Sequence, residues 1–277
     1  RVASSAWCKN DKRISLNSEI IMMQLKHLGL CVAAGFSMNA MAADFSFDRP
    51  GSGIGTGITP VGQLAWEQGL ANAHYAESTT ADGEKVKTTS LNADMLLRTG
   101  LAENIELQLG WAGPSWQQMK VAGNKSETDG LGDVSVGVKA AIPLDDERLT
   151  MAVLAEAIIA TGNDGFTNED DIYSLSSVVA YDYSDLVSTS ITMRYEVQNS
   201  DWAISAIPTL EYQFTDKLSG FSELVYRKAE SQDNEYALGT GVMYAVNNRM
   251  QLDASVGVDL NGADKSYYSG LGVSYLF

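Results

Sequence analysis

The last residues of the chain alternate between two kinds of side chain. Every second residue back from Phe277 to Leu271 is large and apolar or aromatic, and the residues between are mostly small. Because side chains in a β-strand alternate with a period of two residues, these two sets lie on opposite faces of a strand. A strand with one apolar face that closes on an aromatic residue is typical of bacterial outer-membrane β-barrels, where this face contacts lipid. The pattern therefore predicts a lipid-facing strand at this end of the chain.

The same alternation recurs along the sequence, most clearly in 105–111, 134–142 and 250–258. The chain after Ala43 divides into alternating segments of roughly ten to fourteen residues, and a tilted strand needs about 9–11 residues to cross the outer membrane. We therefore predict an all-β protein, a closed antiparallel transmembrane β-barrel of about 12 strands. The predicted strands are 61–76, 88–99, 104–113, 131–142, 149–160, 172–183, 186–197, 202–215, 218–229, 235–246, 249–260 and 266–277.

The connections between these strands differ on the two sides of the predicted barrel. Every second connection is short: 100–103, 143–148, 184–185, 216–217 and 247–248. The others tend to be longer and more polar: 77–87, 114–130, 161–171, 198–201, 230–234 and 261–265. Short periplasmic turns and longer extracellular loops are the asymmetry of such barrels, so an even strand count places both termini in the periplasm.

A soluble all-β protein would show the same alternation with the apolar face turned inward. Three features favour the membrane barrel instead: a signal-like N-terminal segment, the terminal Phe277, and glycines spread along the polar faces. Aromatic residues also fall mostly near the predicted strand ends on the apolar face, as the aromatic girdles of a membrane barrel require.

The N-terminal part divides into three predicted segments. Residues 1–21 have no consistent period, and we interpret them as an extension upstream of a start at Met22 or Met23. Residues 22–42 have a short basic start, an apolar stretch and a small-x-small site, which predicts a signal peptide cleaved before Ala43. Residues 43–60 are predicted to be a periplasmic lead-in that folds into the barrel mouth, and residues 61–277 form the barrel.

Composition narrows the function. Both cysteines, Cys8 and Cys31, precede the predicted cleavage site, so disulfides and thiolate metal sites are not expected in the barrel. Without residues 1–42 the chain has 14 Lys and Arg against 33 Asp and Glu, a formal net charge of −19. This acidity argues against nucleic-acid binding and against a pore for anions, which would be lined by Arg and Lys.

If the apolar faces meet lipid, the charged residues of the opposite register line the lumen. An excess of acids there would favour cationic or neutral polar solutes. Alternatively, most of these charges pair with one another and hold the interior together. The candidate lumen and transport residues are Arg49, Glu67, Asp94, Arg98, Glu106, Asp133, Lys139, Glu156, Arg194, Glu196, Glu211, Glu223, Arg227 and Asp253.

Three further features are weaker signals. His74 is the only histidine after residue 42, and a barrel hydrolase would need a nucleophile and an orienting partner beside it. The acidic segment 163–171 lacks the ligand spacing of a calcium loop. The glycine-rich segment 51–57 lacks the Gly-Lys-Ser/Thr ending of a phosphate loop. No catalytic residue, metal site or cofactor is predicted.

Several short motifs occur in an order that resembles the meta-pathway of phenol degradation family of outer-membrane proteins, which are described as transporters. The motifs are Asp48-Arg49-Pro50, the segment 60–69, Leu97-Arg98-Thr99-Gly100-Leu101 before Ile105-Glu106-Leu107, and Gly130-Leu131-Gly132-Asp133-Val134 with Lys139. The chain departs from the family at Ala160-Thr161-Gly162, where Pro would precede Thr-Gly. The resemblance implies uptake of hydrophobic or aromatic compounds and marks Arg49, Glu67, Arg98, Glu106, Asp133, Lys139 and Glu223.

The sequence thus predicts a bacterial outer-membrane channel or transporter, not an enzyme, that passes small molecules through a narrow acidic lumen. The alternatives are a barrel enzyme that hydrolyses lipid or peptide, and a closed structural barrel. The expected partners are outer-membrane lipid and lipopolysaccharide, the barrel-assembly machinery during insertion, and a small-molecule solute, with no nucleic acid.

Overall fold

The computed structural model describes residues 45–80, 83–261 and 265–277, and the predicted segments 1–21 and 22–42 lie outside them. The regular elements of the described part are fifteen strands that belong to one antiparallel sheet. Among these residues no helix is long and apolar enough to cross a membrane. The strands are β1 Leu64–Thr79, β2 Lys85–Asn92, β3 Met95–Ala102, β4 Ile105–Trp111, β5 Pro114–Val121, β6 Asn124–Leu131, β7 Val134–Ile142, β8 Leu149–Ile159, β9 Ile172–Ser184, β10 Val187–Gln198, β11 Asp201–Thr215, β12 Leu218–Ala229, β13 Asn234–Asn247, β14 Met250–Asp259 and β15 Lys265–Leu276.

Twelve of these strands close into a barrel, which confirms the predicted fold. The wall runs β1, β3, β4, β7 and then β8 to β15 in chain order, and β15 pairs with β1 to close it. The closing pair extends from Ala65 opposite Leu276 to Glu77 opposite Lys265. Closure satisfies the edge hydrogen bonds of both strands, which a sheet in lipid requires.

The two faces of the wall have inverted polarity compared with a soluble protein. Outward-facing apolar side chains such as Leu175, Val256 and Leu271 are 59%, 56% and 54% exposed, whereas the inward-facing Arg98 and Lys139 are both 0% exposed. Such an outer surface is stable only against lipid. The protein is therefore a transmembrane barrel of the bacterial outer membrane.

Aromatic pairs mark one boundary of the apolar band. Tyr181 with Tyr183, Tyr212 with Phe214, and Tyr275 with Phe277 lie two residues apart on one face, with ring centroids 4.8–5.0 Å apart in edge-on contact. All three pairs lie beside the short turns. A girdle of aromatic rings is expected at each membrane boundary, and short turns lie on the periplasmic side of such barrels.

The three remaining strands extend the wall on the side opposite the short turns, which is the extracellular side of such barrels. Strand β2 pairs with the outer half of β1, β5 pairs with β2, and β6 pairs with β5. The predicted loops 77–87 and 114–130 were therefore wrong, because they contain the end of β1, the start of β2 and almost all of β5 and β6. Most of β5 and β6 is polar on both faces, so the period-two apolar signal that identifies membrane strands is missing there.

An aligned bend separates these extensions from the barrel strands below them. The chain leaves strand geometry at Ala93-Asp94, Ala112-Gly113 and Gly132-Asp133, and backbone hydrogen bonds such as Ala112 N to Asp133 O, at 2.8 Å, keep the wall continuous. Gly113 has φ +79°, and a Cβ there would overlap the backbone of Ala93. The predicted strand 88–99 is accordingly interrupted at this bend.

The inverted polarity predicts losses of stability of different size for two adjacent substitutions in β14. Val256→Lys places a charge against lipid near the middle of the strand and should lower the free energy of unfolding by about 2–4 kcal/mol. Ser255→Lys places the same charge on the lumen face and should cost less than about 1 kcal/mol, because water or an acid can accept it. Urea unfolding of the two variants in lipid vesicles measures the difference, and a larger loss for Ser255→Lys would contradict the assignment of the faces.

Candidate functional site

Four charged side chains from four neighbouring strands meet inside the barrel. Pairing of β4 with β7 places Glu106 opposite Lys139, and pairing of β1 with β3 brings Glu67 near Arg98. Arg98 Nε donates to Glu106 Oε1 at 2.9 Å, and Arg98 Nη1 donates to Glu67 Oε1 at 2.9 Å. All four side chains are fully buried. Their burial is tolerable because each charge has a partner of opposite sign.

Asp48 completes this cluster from the segment that precedes β1. Its carboxylate lies 3.1 Å from Lys139 Nζ and 3.6 Å from Arg98 Nη1. The backbone N–H groups of Asp48 and Arg49 donate to Glu67 at 3.2 and 2.9 Å. We call Asp48, Glu67, Arg98, Glu106 and Lys139 the anchor cluster, because it fastens the preceding segment to the wall.

Arg49 makes a second ionic attachment, to a different part of the wall. Its guanidinium reaches Asp94, next to the bend before β3, at 3.2 Å and Asp253 on β14 at 3.4 Å. It also lies directly over Gly272 on β15, where a Cβ would overlap the guanidinium nitrogens. Glycine at this position therefore lets the arginine lie flat against the barrel wall.

The segment then crosses the lumen and returns. Ser52 donates from its N–H and its hydroxyl to Glu223 on β12, at 3.0 and 2.6 Å. Ile54 N donates to Thr192 on β10 at 3.2 Å. Thr59 N donates to Glu106 Oε2 at 2.6 Å, which brings the chain back to the anchor cluster before β1 begins. Residues 45–60, hereafter the plug segment, therefore lie inside the barrel and obstruct it.

A cavity lies between the plug segment and the wall. It has a volume of about 300 Å³, at the small end of the range for ligand pockets. Its lining combines hydrogen-bonding groups with two aromatic rings, and includes Arg49, Ser52, Asn72, Phe221, Glu223 and Tyr268. Such a lining can accept a small molecule that has both an apolar ring and a polar substituent.

The remaining candidate residues lie away from the plug segment. Asp133 accepts hydrogen bonds from Thr161 N, Gly162 N and Asn168 N, at 2.8–2.9 Å, and fixes the extracellular loop after β8. Farther along the wall, Arg227 lies 3.9 Å from Glu196, and Arg194 Nε donates to Ser176 Oγ at 3.2 Å. The carboxylates of Glu156 and Glu211 have no ion pair or hydrogen bond with any other described residue.

The sequence pattern did not identify Asp48, Ser52 and Thr192 as site residues. Asp48 belongs to the motif Asp48-Arg49-Pro50, and that motif was the available signal. Ser52 and Thr192 carried none, because small hydroxyl residues are common in barrel lumens and only the path of the plug segment brings these two to their partners.

His74 faces the extracellular part of the lumen rather than the lipid. Its Nε2 lies 2.7 Å from Ser266 Oγ on the neighbouring strand β15, and both side chains are solvent-accessible. Within the described residues no carboxylate or amide contacts the imidazole, so the third member of a hydrolytic triad has no counterpart here. The same residues include no group of three or more His, Cys, Asp or Glu side chains arranged to hold a metal ion.

Comparison with known protein families identifies the family of this chain. The family model described as "Putative MetA-pathway of phenol degradation" matches residues 47–277, which include nearly all of the plug segment and the whole barrel. The chain belongs to this family. The match confirms the resemblance that the short motifs indicated. No curated protein matches the chain significantly.

Solved structures with similar folds are outer-membrane barrels of low sequence identity. An outer-membrane channel from Pseudomonas putida F1 is 12% identical, with a TM-score of 0.60, and the match covers 79% of this chain and 96% of that chain. The translocator domain of the autotransporter NalP from Neisseria meningitidis is 10% identical, with a TM-score of 0.54, and the match covers 95% and 97%. At these identities the likeness describes the barrel fold.

The anchor cluster predicts a large effect for one substitution. Arg98→Leu removes the central cation and leaves Glu67, Glu106 and Asp48 buried around an apolar side chain. We expect it to lower the free energy of unfolding by about 3–5 kcal/mol, as for other buried ion pairs that lose one partner.

Arg148→Leu in the exposed turn before β8 is the matched control and should change stability by less than about 0.5 kcal/mol. Urea unfolding followed by tryptophan fluorescence provides the measurement. Equal effects of the two substitutions would show that the anchor cluster does not stabilise the barrel.

Proposed function

We propose that the protein is an outer-membrane channel for small molecules and that the plug segment is its gate. The main support for this proposal is the way in which the plug segment is attached inside the barrel. The lumen is filled by a separate stretch of chain without regular secondary structure, which is attached to the wall through ion pairs and hydrogen bonds. Water and solute can replace such attachments one by one, which allows the segment to move while the wall stays closed.

The charge of the lumen supports a preference for cationic or neutral solutes. Glu156 is half-buried and Glu211 exposed, and neither has an ion pair with another described residue. By contrast, the cations Arg98 and Lys139 are fully buried in the anchor cluster, and Arg227 is paired with Glu196. Carboxylates that line a confined lumen repel anions and attract cations. We propose that the channel admits anionic solutes poorly.

Aromatic compounds are the solute class that we propose. The description of the family refers to phenol degradation, and the cavity beside the plug segment offers Phe221 and Tyr268 together with Asn72 and Glu223. A phenol presents an apolar ring and one hydroxyl, which matches this combination of groups.

Transport requires no catalytic group, and we propose a non-enzymatic role. The nearest approach to catalytic geometry is the pair of His74 and Ser266, which lacks a contact that would orient the imidazole. Because His74 lines the cavity beside the plug segment, its replacement by Ala is expected to alter solute affinity at most, while conductance steps in planar bilayers persist.

A reversible disulfide tests the gate directly. A Cβ built on Gly53 would lie 3.6 Å from Thr192 Cβ, within the range of disulfide-bonded cysteines. In a chain with Cys8 and Cys31 replaced by Ser, the pair Gly53→Cys and Thr192→Cys should lock the plug segment when oxidised. We expect conductance steps in planar bilayers to fall at least tenfold on oxidation and to return with reductant.

The single variant Gly53→Cys is the control and should not respond to oxidation. Equal conductance of the oxidised and reduced double variant would refute the gate while leaving a channel. Absence of conductance steps in the unmodified protein and in both redox states would refute the channel itself. Phenol added to the open form should reduce the current more than benzoate, because the carboxylate is repelled.

A further inference from the structure

Three lysines lie side by side in the extracellular extension of the wall. Pairing of β2 with β5 places Lys87 directly opposite Lys120, and pairing of β5 with β6 places Lys120 directly opposite Lys125. Directly opposed residues share one face of a sheet, so all three ammonium groups lie on the same face. We call Lys87, Lys120 and Lys125 the lysine row.

This face is the outer one, which continues the lipid-facing surface. Leu91 and Trp116 are opposite each other on β2 and β5, and each lies four residues from a member of the lysine row, hence on the same face. The neighbouring residue Asn92 lines the lumen cavity and marks the opposite face. The lysine row therefore faces the surroundings of the barrel and not its interior.

The height of the lysine row corresponds to the headgroup region of the outer leaflet. Four residues at about 3.3 Å per residue place the row about 13 Å along the strands beyond Leu91 and Trp116. Strand tilt reduces this to about 10 Å along the membrane normal. The apolar side chains thus lie at the level of acyl chains, and the ammonium groups lie in the polar layer above them.

Acidic side chains of the protein neutralise only one of the three lysines in the row. Lys87 pairs with Glu77 at 2.7 Å, whereas Lys120 and Lys125 are exposed and form no ion pair with another described residue. Like charges directly opposite each other destabilise a sheet. A lysine on an edge strand discourages strand addition, which accounts for Lys125 but not for Lys120 in the middle of the extension. An anion from outside the protein would stabilise the whole row.

The surface also has a recess of suitable size. A cavity of about 360 Å³ lies between Glu84, Lys85, Lys87, Lys120 and the turn at Ala122-Gly123. Its walls are mostly the aliphatic parts of these residues, and its volume is large enough for a sugar headgroup whose phosphate reaches the lysine ammonium groups at the rim. Glu127 and Asp129 share this face of β6 with Lys125, but Glu127 is hydrogen-bonded to Gln118 and neither acid forms an ion pair with a lysine of the row.

We propose that the lysine row binds the phosphorylated sugar headgroup of an outer-leaflet glycolipid, lipopolysaccharide, whose acyl chains pack on Leu91 and Trp116. Phosphate groups lie in the polar layer of this lipid, where lysines of an adjacent protein surface can pair with them. The bound lipid would hold the extension formed by β2, β5 and β6 in place above the barrel.

The test compares lipid binding by the protein and by two variants, after purification from outer membranes in detergent. Lys120→Gln with Lys125→Gln removes the two lysines that have no partner and leaves the Lys87–Glu77 pair intact. Lys217→Gln in a periplasmic turn is the matched control. Native mass spectrometry with added rough lipopolysaccharide measures binding, and heat-modifiable migration confirms that each variant is folded.

We expect about fivefold weaker binding for each lysine removed, hence roughly 25-fold for the double variant, and no change for Lys217→Gln. Dephosphorylated lipopolysaccharide should bind the unmodified protein as weakly as the double variant binds the intact lipid. Inorganic phosphate at the same concentration should not compete, because it lacks the acyl chains.

Three results would overturn the proposal. The first is equal affinity of the double variant and the unmodified protein for the intact lipid. The second is an equal affinity of the unmodified protein for intact and dephosphorylated lipid, which would show that only the acyl chains are recognised. The third is competition by inorganic phosphate, which would indicate a simple anion site instead of a lipid site.

Discussion

Arg98 is fully buried among carboxylates, and much of the architecture depends on how its charge is neutralised. Two of its partners, Glu67 and Glu106, come from neighbouring wall strands, and a third, Asp48, comes from the plug segment. A buried guanidinium without these partners would cost several kcal/mol. The same ionic contacts therefore join β1, β3 and β4 inside the barrel and hold the plug segment across the lumen.

This coupling of wall and plug has a functional consequence. An interior packed with apolar side chains would fill the barrel permanently, since its burial cannot be replaced by water without a large loss. An interior of ion pairs and hydrogen bonds can exchange partners with water and solute at a smaller net cost. A narrow barrel can thus be rigid in its wall and adjustable in its lumen, as a gated channel requires.

The bilayer imposes the other constraint, and it acts on the outside of the molecule. Backbone groups in hydrocarbon must be paired, so β15 must return to β1. This requirement ends at the polar surface of the bilayer, and the wall continues past that surface as an incomplete sheet of β2, β5 and β6 with polar residues on both faces of β6. The bend at Asp94, Gly113 and Asp133 lies where the closed barrel gives way to this open extension.

The sequence by itself determined the fold class, the strand number of the barrel and the face of each strand that meets lipid. These follow from local alternation, because a membrane strand must be apolar on one side along its entire crossing, as Leu271, Val273 and Tyr275 are. It could not reveal β5 and β6, because most of their residues are polar and carry no such pattern.

The sequence predicted only part of the candidate site, because contacts between residues far apart in the chain leave no local pattern. Glu67, Arg98, Glu106 and Lys139 could be selected because each is a charge on an inward register. Their association with Asp48, and that of Ser52 with Glu223, depends on contacts between residues far apart in the chain. The tertiary structure alone decided that residues 45–60 lie in the lumen, since a short polar segment has no periodicity and gains its place only from the charges that surround it.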